Sequence, residues 1–373
     1  MNPPVTRLFS SREHVPDGTM FMDLFVPFWG PNEGDFESLQ PTRTASFVAG
    51  HTDFLALTSL EKCDFAVFPV EYQLCTQPDR EKVLRDFAEL ARRAGKGLIV
   101  FIGGDLDRYP PVGDFVFHTA LYRSALRPNT FCMPPILEDL AERYLGGQVP
   151  LRAWVPTPSV GFCGAVPPLG LPVGKTFLKE HLRLLAYRAG RLRGLAVGYA
   201  PRALAVRALQ KARRLRADLV VRAHGTVQFR WGHLVAADER ENLLAAHQAD
   251  DYRREYVRSL VGSDYVLCAR GFGNYSLRLY ECLCVGRLPV IVDTDMVFPF
   301  EDQIDWRSVG VWVEEKDIPR LEEKVLEFHA RQTAASFLAL QRRAREIWSE
   351  FIAPESFYAR AFRSLPRGSR EAV

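Results

Sequence analysis

Short apolar runs that end on glycine or a charged residue recur along this chain, and they limit its possible folds more than any other feature. The clearest is residues 97–102 (GLIVFI), which breaks at Gly103-Gly104-Asp105. A run without polar alternation reads as a strand covered on both faces, the condition of a parallel sheet between helices. Residues 20–29 (MFMDLFVPFW), 64–70 (DFAVFPV) and 115–118 (FVFH) read as further strands. Between them, residues 79–94 place Val83, Leu84, Phe87, Leu90 and Ala91 at helical spacing and close at Gly95. A second series follows: 159–164 (SVGFCG), 217–222 (ADLVVR), 264–269 (DYVLCA) and 288–292 (LPVIV), with helical spacing over 250–260 and 276–285. Strand–helix–strand alternation of this kind predicts an α/β fold. At about 150 residues per domain, 373 residues suggest two domains. The proline-punctuated stretch 155–158 reads as the hinge, and residues 319–362 read as largely helical, interrupted near Pro354.

The net charge of +3 is close to neutral, but the charges are unevenly spread. Between Leu182 and Ala217 stand ten basic residues and no acid, so the remainder of the chain sums to about −7. This segment reads as two helical pieces broken near 198–201. The N-terminus shows no apolar run suited to a signal peptide. The charge-free stretch 153–174 holds five prolines and four glycines, which suits no spanning helix. The seven cysteines lack metal-site spacing and mostly stand beside apolar residues, as in Phe131-Cys132-Met133. Buried, reduced thiols and a cytoplasmic protein are the expectation.

The stretch richest in chemistry is 265–306. An apolar strand ends at Ala269-Arg270, and the loop Gly271-Phe272-Gly273-Asn274 follows. Glycines there permit close approach of backbone to a ligand. Ser276 is placed to N-cap the next helix, whose first turn carries Arg278. A helix N-terminus behind a glycine loop offers free N–H groups and a positive dipole end, which suits phosphate. Two guanidiniums, Arg270 and Arg278, can clamp a diphosphate. Glu281, one turn on, can accept from ribose hydroxyls. Against this stands a plain alternative, a turn followed by a surface Arg278–Glu281 pair worth a few tenths of a kcal/mol. No GxGxxG or GxxxxGK[ST] completes the loop, which argues against dinucleotide and P-loop readings.

The run Arg270-Gly271-Phe272-Gly273-Asn274-Tyr275-Ser276-Leu277-Arg278-Leu279-Tyr280-Glu281 continues to Gly286-Arg287-Leu288-Pro289-Val290-Ile291 and Phe298-Pro299-Phe300. It resembles the exostosin family, glycosyltransferases of family 47. Asp305-Trp306 and Lys316-Asp317-Ile318-Pro319 extend the likeness, which runs roughly from 159 to 328. Leu121-Tyr122-Arg123-Ser124 and Pro134-Pro135 resemble bacterial exostosin-like proteins, but the N-terminal third is similar only loosely. The resemblance implies a GT-B fold: two Rossmann-like domains facing a cleft, with a C-terminal helix crossing back to the first. The expected division is 1–157 for the acceptor domain, 158–345 for the nucleotide-sugar donor domain and 346–373 for the crossover helix and tail. The resemblance also implies an inverting transferase with a nucleoside-diphosphate sugar as co-substrate, UDP favoured, and a glycan or lipid-linked glycan acceptor. Arg270 and Arg278 would hold the diphosphate, Glu281 the ribose, and the backbone of Gly271, Gly273, Asn274 and Ser276 the phosphates. Gly164 would lie in the first loop of the donor domain. Arg222, with His224-Gly225 after it, would approach the same site.

The motif does not supply the general base. Asp105 and Glu71, each after a strand end, fit that placement, and His118 is a third candidate; each also reads as an ordinary turn, strand-end or core residue. Asp293-Thr294-Asp295 and Asp105-Leu106-Asp107 match the DxD of metal-dependent GT-A enzymes, where hard oxygens hold a divalent cation. The arginines already supply positive charge, so no metal and no other cofactor is expected. The basic segment from Arg183 to Arg216 suits a solvated face, an anionic lipid surface at the inner face of the membrane, or a polyanionic acceptor. With only Tyr187 and Tyr199 for stacking, nucleic acid is not expected. Two alternatives remain open: a catalytically silent nucleotide- or glycan-binding partner of a polysaccharide synthase, and a GT-A type enzyme.

Overall fold

The computed structural model describes residues 5–30, 32, 54–166, 182, 185–187, 197–222, 229–230, 233–234 and 239–366; for 229–230, 233–234 and 239–250 it describes the backbone only. The chain divides into two compact units, Met1–Glu138 with Phe351–Val373, and Asp139–Glu350.

The first unit is built on a parallel sheet of β1 (Thr6–Phe9), β2 (Leu55–Leu57), β3 (Phe65–Val67), β4 (Gly97–Ile102), β5 (Phe115–His118) and β6 (Thr130–Cys132). Its order is β2-β1-β3-β4-β5-β6. β4 is buried at every position after its first residue, as an all-apolar run requires. Residues 20–29, expected as a strand, instead form a 3₁₀ turn at Asp23–Phe25 and the short helix α1 (Val26–Trp29). Pro27 has no N–H for a ladder and sits where a helix tolerates it, in the first turn. The first strand, β1, lies between β2 and β3, and its four residues TRLF alternate between buried and more open positions.

Helix α2 (Pro78–Arg93) has Pro78 at its start, Asp79 and Glu81 in its first turn and Arg92 and Arg93 in its last, the charge order that the helix dipole favours. It lays Leu84, Phe87 and Ala91 on the sheet.

The second unit opens with α3 (Leu140–Leu145), capped by Asp139, whose carboxylate accepts from the N–H groups of Ala141 and Glu142. Its sheet comprises β7 (Ser159–Ala165), β8 (Arg216–Arg222), β11 (Tyr265–Cys268), β12 (Leu288–Asp293) and β13 (Val311–Glu314), again all parallel. A separate two-stranded pair, β9 (Phe229–Arg230) and β10 (His233–Leu234), lies between β8 and β11 in sequence. The helices are α4 (Ala200–Gln210), α5 (Glu239–Gly262), α6 (Leu277–Cys284), α7 (Leu321–Ala330) and α8 (Ala334–Ile347). The core is the inward set Val160, Phe162, Tyr265, Leu267, Val290 and Val292.

The sheet order is β13-β12-β11-β7-β8. Counted within its own unit, that is 2-1-3-4-5, which the first unit repeats before adding β6. Both are doubly wound sheets with a switch point between the first and third strands, where open α/β sheets place ligands outside the carboxyl ends. Two parallel-sheet α/β units are what the GT-B expectation calls for.

The packing divides the chain at 138/139 and 350/351 rather than at 157/158 and 345/346. The stretch read as a hinge is fastened to the second sheet. Arg152 Nε donates to Asp264 at 2.6 Å, and the Gln341 side chain bonds both the N–H and the carbonyl of Arg152. Trp154 stacks on His329 with ring centroids 5.3 Å apart, and His329 Nε2 lies 2.7 Å from the Val155 carbonyl oxygen. After the π-helical turn Trp348–Ile352, helix α9 (Pro354–Ser364) returns to the first unit. Phe357, Tyr358 and Phe362 pack on Phe101 and Phe117 of β4 and β5, with centroids 6.0–6.4 Å apart. All seven cysteines are buried and free. Among the described residues, no helix is long and apolar enough to cross a membrane.

Candidate functional site

The second unit gathers polar groups at the carboxyl ends of β7, β8, β11 and β12. After β11, the loop from Gly271 closes on itself, with the Gly271 N–H donating to the Tyr275 carbonyl at 3.2 Å. Arg270 lies inside this loop and is 1% exposed. Its Nη2 donates to the Phe272 carbonyl at 2.6 Å and its Nη1 to Asn274 Oδ1 at 3.1 Å. The same Asn274 oxygen accepts from Thr294 Oγ1 at 2.8 Å, and Asn274 Nδ2 donates to the Asp295 carbonyl at 3.3 Å. Arg270 and Asn274 therefore hold the loop in shape and tie it to the chain leaving β12.

Ser276 occupies the N-cap of α6 in extended conformation, but its hydroxyl does not cap the helix as expected. Among the described residues nothing pairs with the buried Ser276 Oγ or with the buried Nε of Arg278. Unpaired buried polar atoms are costly, and both of these lie in the first turn of α6 or at its N-cap. Arg278 Nη2 donates to the Cys163 carbonyl at 2.7 Å, and the guanidinium lies 4.4 Å from the centre of the Phe162 ring. A Cβ added at Gly164 would stand 2.6 Å from Arg278 Nη2, so this glycine makes room for the arginine. The sequence candidates Gly164 and Arg278, 114 positions apart in the chain, are thus in direct contact.

Glu281 is 5% exposed and does not pair with Arg278. Its carboxylate takes Arg253 of α5 at 2.8 Å and the hydroxyl of Tyr256. Burial, with the Glu281 charge, pushes the Tyr256 phenol well above its ordinary value, so it stays a donor. Arg222 ends β8 paired with Glu255 and lying 4.9 Å from the centre of the Tyr252 ring. Burial raises the neighbouring Cys163 thiol although Arg222 and Arg278 both pull it down. His224-Gly225 lie outside the described residues, as do Arg183, Arg188, Arg191 and Arg193 of the basic segment.

The rest of that segment divides. The backbone N–H groups of Arg213 and Arg214 bond Glu322, and Arg216 pairs with Asp218, which leaves these side chains in surface roles. Arg202 is different. From α4 its Nη1 and Nη2 reach the carbonyls of Ala165 and Ala269, each at 3.3 Å. These end β7 and β11, the two strands that flank the switch point, so Arg202 bridges the mouth of the site. A Cβ on Gly271 would lie 3.3 Å from its Nη2. Arg202 stood in the sequence among nine other cations; its place beside Pro201 at the start of a helix was the available signal. Tyr187, also from the basic segment, donates to Glu315 just after β13.

The DxD pairs act locally. Asp293 Oδ1 accepts the Met296 N–H at 3.2 Å, and Asp295 sits in a left-handed turn at φ 65°. Asp105 and Asp107 are exposed.

The base candidates lie in the first unit. Glu71 follows β3 and is half-buried. Gln73 Nε2 donates to its Oε2 at 2.7 Å, and a Cβ on Gly103 would come within 2.4 Å of both carboxylate oxygens. Desolvation, with the Asp23 charge, pushes the Glu71 carboxyl up to about 7 against the bond from Gln73. His118 accepts the Ala120 N–H on Nδ1 at 2.9 Å, and burial pushes it down to about 4. It is a neutral core residue that shapes the strand exit.

Residues 213–327 match the family model of the Exostosin GT47 domain. A probable glucuronosyltransferase of Oryza sativa subsp. japonica is 40% identical over 72 residues, 19% of this chain and 17% of that protein. The probable beta-1,4-xylosyltransferase IRX10 of Arabidopsis thaliana is 39% identical over 72 residues, 19% and 18% of the two chains. The similarity thus spans less than a fifth of the length of these relatives. A structure of S. aureus TarM in complex with UDP superposes with a TM-score of 0.35 at 13% identity, covering 85% of this chain and 53% of that one.

Proposed function

We propose that this chain, which carries an exostosin GT47 domain over residues 213–327, is an inverting glycosyltransferase that takes a sugar from a nucleoside-diphosphate sugar, UDP favoured, to a glycan or lipid-linked glycan. The observation that carries the reading is the unpaired Arg278 Nε and Ser276 Oγ at the N-terminus of α6, behind a glycine loop at the switch point of a doubly wound sheet. An anion with several acceptor oxygens, as in a diphosphate, satisfies both groups at once and meets the positive end of the helix. Relatives named for glucuronosyl and xylosyl transfer support the class.

In the mechanism we propose, the acceptor hydroxyl attacks the anomeric carbon on the face opposite the leaving group. Its proton passes to a carboxylate base; Glu71, half-buried with its carboxyl pushed up to about 7, has the proton affinity that this role asks for. The bond to the diphosphate breaks, and the charge that develops there is held by Arg278, by Arg202 across the strand ends and by the α6 N–H groups. Arg270 and Asn274 keep the loop in shape, Arg222 adds positive potential, and Glu281, oriented by Arg253 and Tyr256, receives the ribose hydroxyls. With the guanidiniums of Arg278 and Arg202 and the α6 N–H groups at the diphosphate, the reaction needs no divalent metal in this reading.

The test is calorimetry with UDP and GDP on wild type, Arg278→Ala and Glu281→Gln. The expectation is micromolar-range binding of one nucleotide to wild type and a loss of at least about tenfold in each variant. Unchanged affinity in both variants would sink these roles. For the basic segment we propose an anionic membrane surface at the cytoplasmic face, because Leu182 and Leu185 are 56% and 60% exposed one helical turn apart beside the arginines. Co-sedimentation with phosphatidylserine vesicles that fails at low salt counts against it.

A further inference from the structure

The first unit brings three polar residues to the carboxyl end of β3 from separate parts of the chain. Glu71 leaves the strand, and Gln73 turns back to donate to its Oε2 at 2.7 Å. Asp23 is carried to the same place because the N–H of the preceding Met22 donates to the Pro69 carbonyl at 2.9 Å, two residues before Glu71. Ser10 Oγ donates to the Val67 carbonyl at 2.8 Å and ties β1 to β3 at the switch point of this sheet. Behind the carboxylate stands the backbone of Gly103, with no space for a side chain. Tyr358 of α9 is 6% exposed, and burial raises its phenol, with the Glu71 and Asp23 charges adding to the effect. The charged groups of the adjacent helix face elsewhere: Glu81 takes the Tyr72 hydroxyl and Arg85, and Arg80 bonds the Leu74 carbonyl.

Resting on the transferase reading above, we propose that Asp23 and Gln73 are positioning residues for the Glu71 base, Gln73 through the hydrogen bond it donates to Oε2 and Asp23 through the negative charge that the Met22–Pro69 bond brings to the strand end. A like charge in a poorly solvated site makes ionisation harder, whereas a donated N–H makes it easier. The backbone of Gly103 against the carboxylate and its burial give the poor solvation that lets both effects act strongly. The arrangement keeps a carboxylate able to take a proton from an acceptor hydroxyl near neutral pH, where an ordinary glutamate is a weaker base. A purely structural role for Asp23 and Gln73 predicts no such opposition.

The proposal is tested on the full chain labelled with ¹³C at the glutamate carboxyls, using Glu71→Gln to assign the Glu71 signal, and following its titration without ligand. Wild type is expected to titrate near 7, Asp23→Asn lower by roughly one pH unit, and Gln73→Met higher by roughly half a unit. Shifts of the same sign, or no shift in either variant, overturn it. If Asp23→Asn does not fold, Gln73→Met alone must raise the midpoint, and a failure to do so overturns it equally. The acid limb of kcat/KM for transfer is expected to move with each midpoint. If the midpoints move as stated but no nucleotide sugar is turned over, the control of Glu71 stands and the transferase reading falls. If turnover is found but its acid limb ignores both variants, the transferase reading stands and the positioning roles fall.

Discussion

Gly164 and Arg278 are in contact at the edge of the second sheet: a methyl group added to the glycine would stand 2.6 Å from Arg278 Nη2. The arginine therefore reaches the carboxyl end of β7 only because the residue there has no side chain. Gly164→Ala is expected to leave the fold intact by circular dichroism and to displace the guanidinium. Nucleotide affinity then falls by about tenfold to a hundredfold, the worth of one charge-assisted bond. Wild-type affinity in calorimetry would show that Arg278 does not meet the ligand from this position.

Arg202 spans the carbonyls of Ala165 and Ala269. Lysine carries the same charge but cannot fork to two acceptors. Arg202→Lys is expected to retain part of the nucleotide affinity, and Arg202→Ala to lose it by at least about tenfold, with kcat falling more than binding where the leaving group is stabilised. Equal kinetics for the two variants would confine Arg202 to a packing role.

Gly103 borders Glu71 so closely that Gly103→Ala has to move the carboxylate. The site in the second unit shares no residue with this contact. Transfer is expected to drop by at least about a hundredfold while nucleotide affinity stays at the wild-type value, measured on one preparation. A parallel loss of both would mean that the substitution acts through global stability instead.

His118 gives a stability signature with a defined sign. Its folded value lies near 4, below the ordinary value of about 6.5, because burial disfavours the charged ring. The unfolded chain thus binds the proton more readily, and stability is lost as pH falls through the window from about 6.5 to 4. The loss is on the order of 2–3 kcal/mol at the bottom of that window. Urea unfolding midpoints across it are expected to fall for wild type and to flatten for His118→Gln. Identical slopes for the two proteins would remove His118 from the acid sensitivity. Asp264 acts lower: burial alone would raise it, but bonds from Arg152 and Ser159 outweigh this and hold it below the usual carboxylate range. Its contribution is present above about 4 and disappears only in stronger acid.

The strands β3, β4, β5, β7, β11 and β12 were legible because each is an apolar run that carries its own signal, and burial on both faces needs no pattern beyond that; β8, at the sheet edge, was legible from its Leu219-Val220-Val221 run alone. The segment 20–29 misled because apolar content does not separate a strand from a packed turn, and Pro27 was the residue that decided it. The glycine loop and the helix behind it were legible for the same local reason: Arg270, the glycines, Ser276, Arg278 and Glu281 lie within twelve residues of one strand–loop–helix.

What the sequence by itself determined is therefore local: which runs become strands, where a helix starts behind a glycine loop, and which side chains that loop carries. The tertiary structure decided everything that depends on distance along the chain. It took Arg202 out of a row of ten cations and set it across two strand ends. It gave Glu281 to Arg253 and Tyr256, Arg278 to Cys163 and Gly164, and Glu71 a neighbour in Asp23. It fastened residues 152–155 to the second sheet through Asp264, His329 and Gln341, so that the proline-rich stretch packs as part of one unit. A side chain's type is fixed by its codon, but its partner, its solvation and hence its proton affinity are set by residues from tens to more than a hundred positions away, and only packing brings those together.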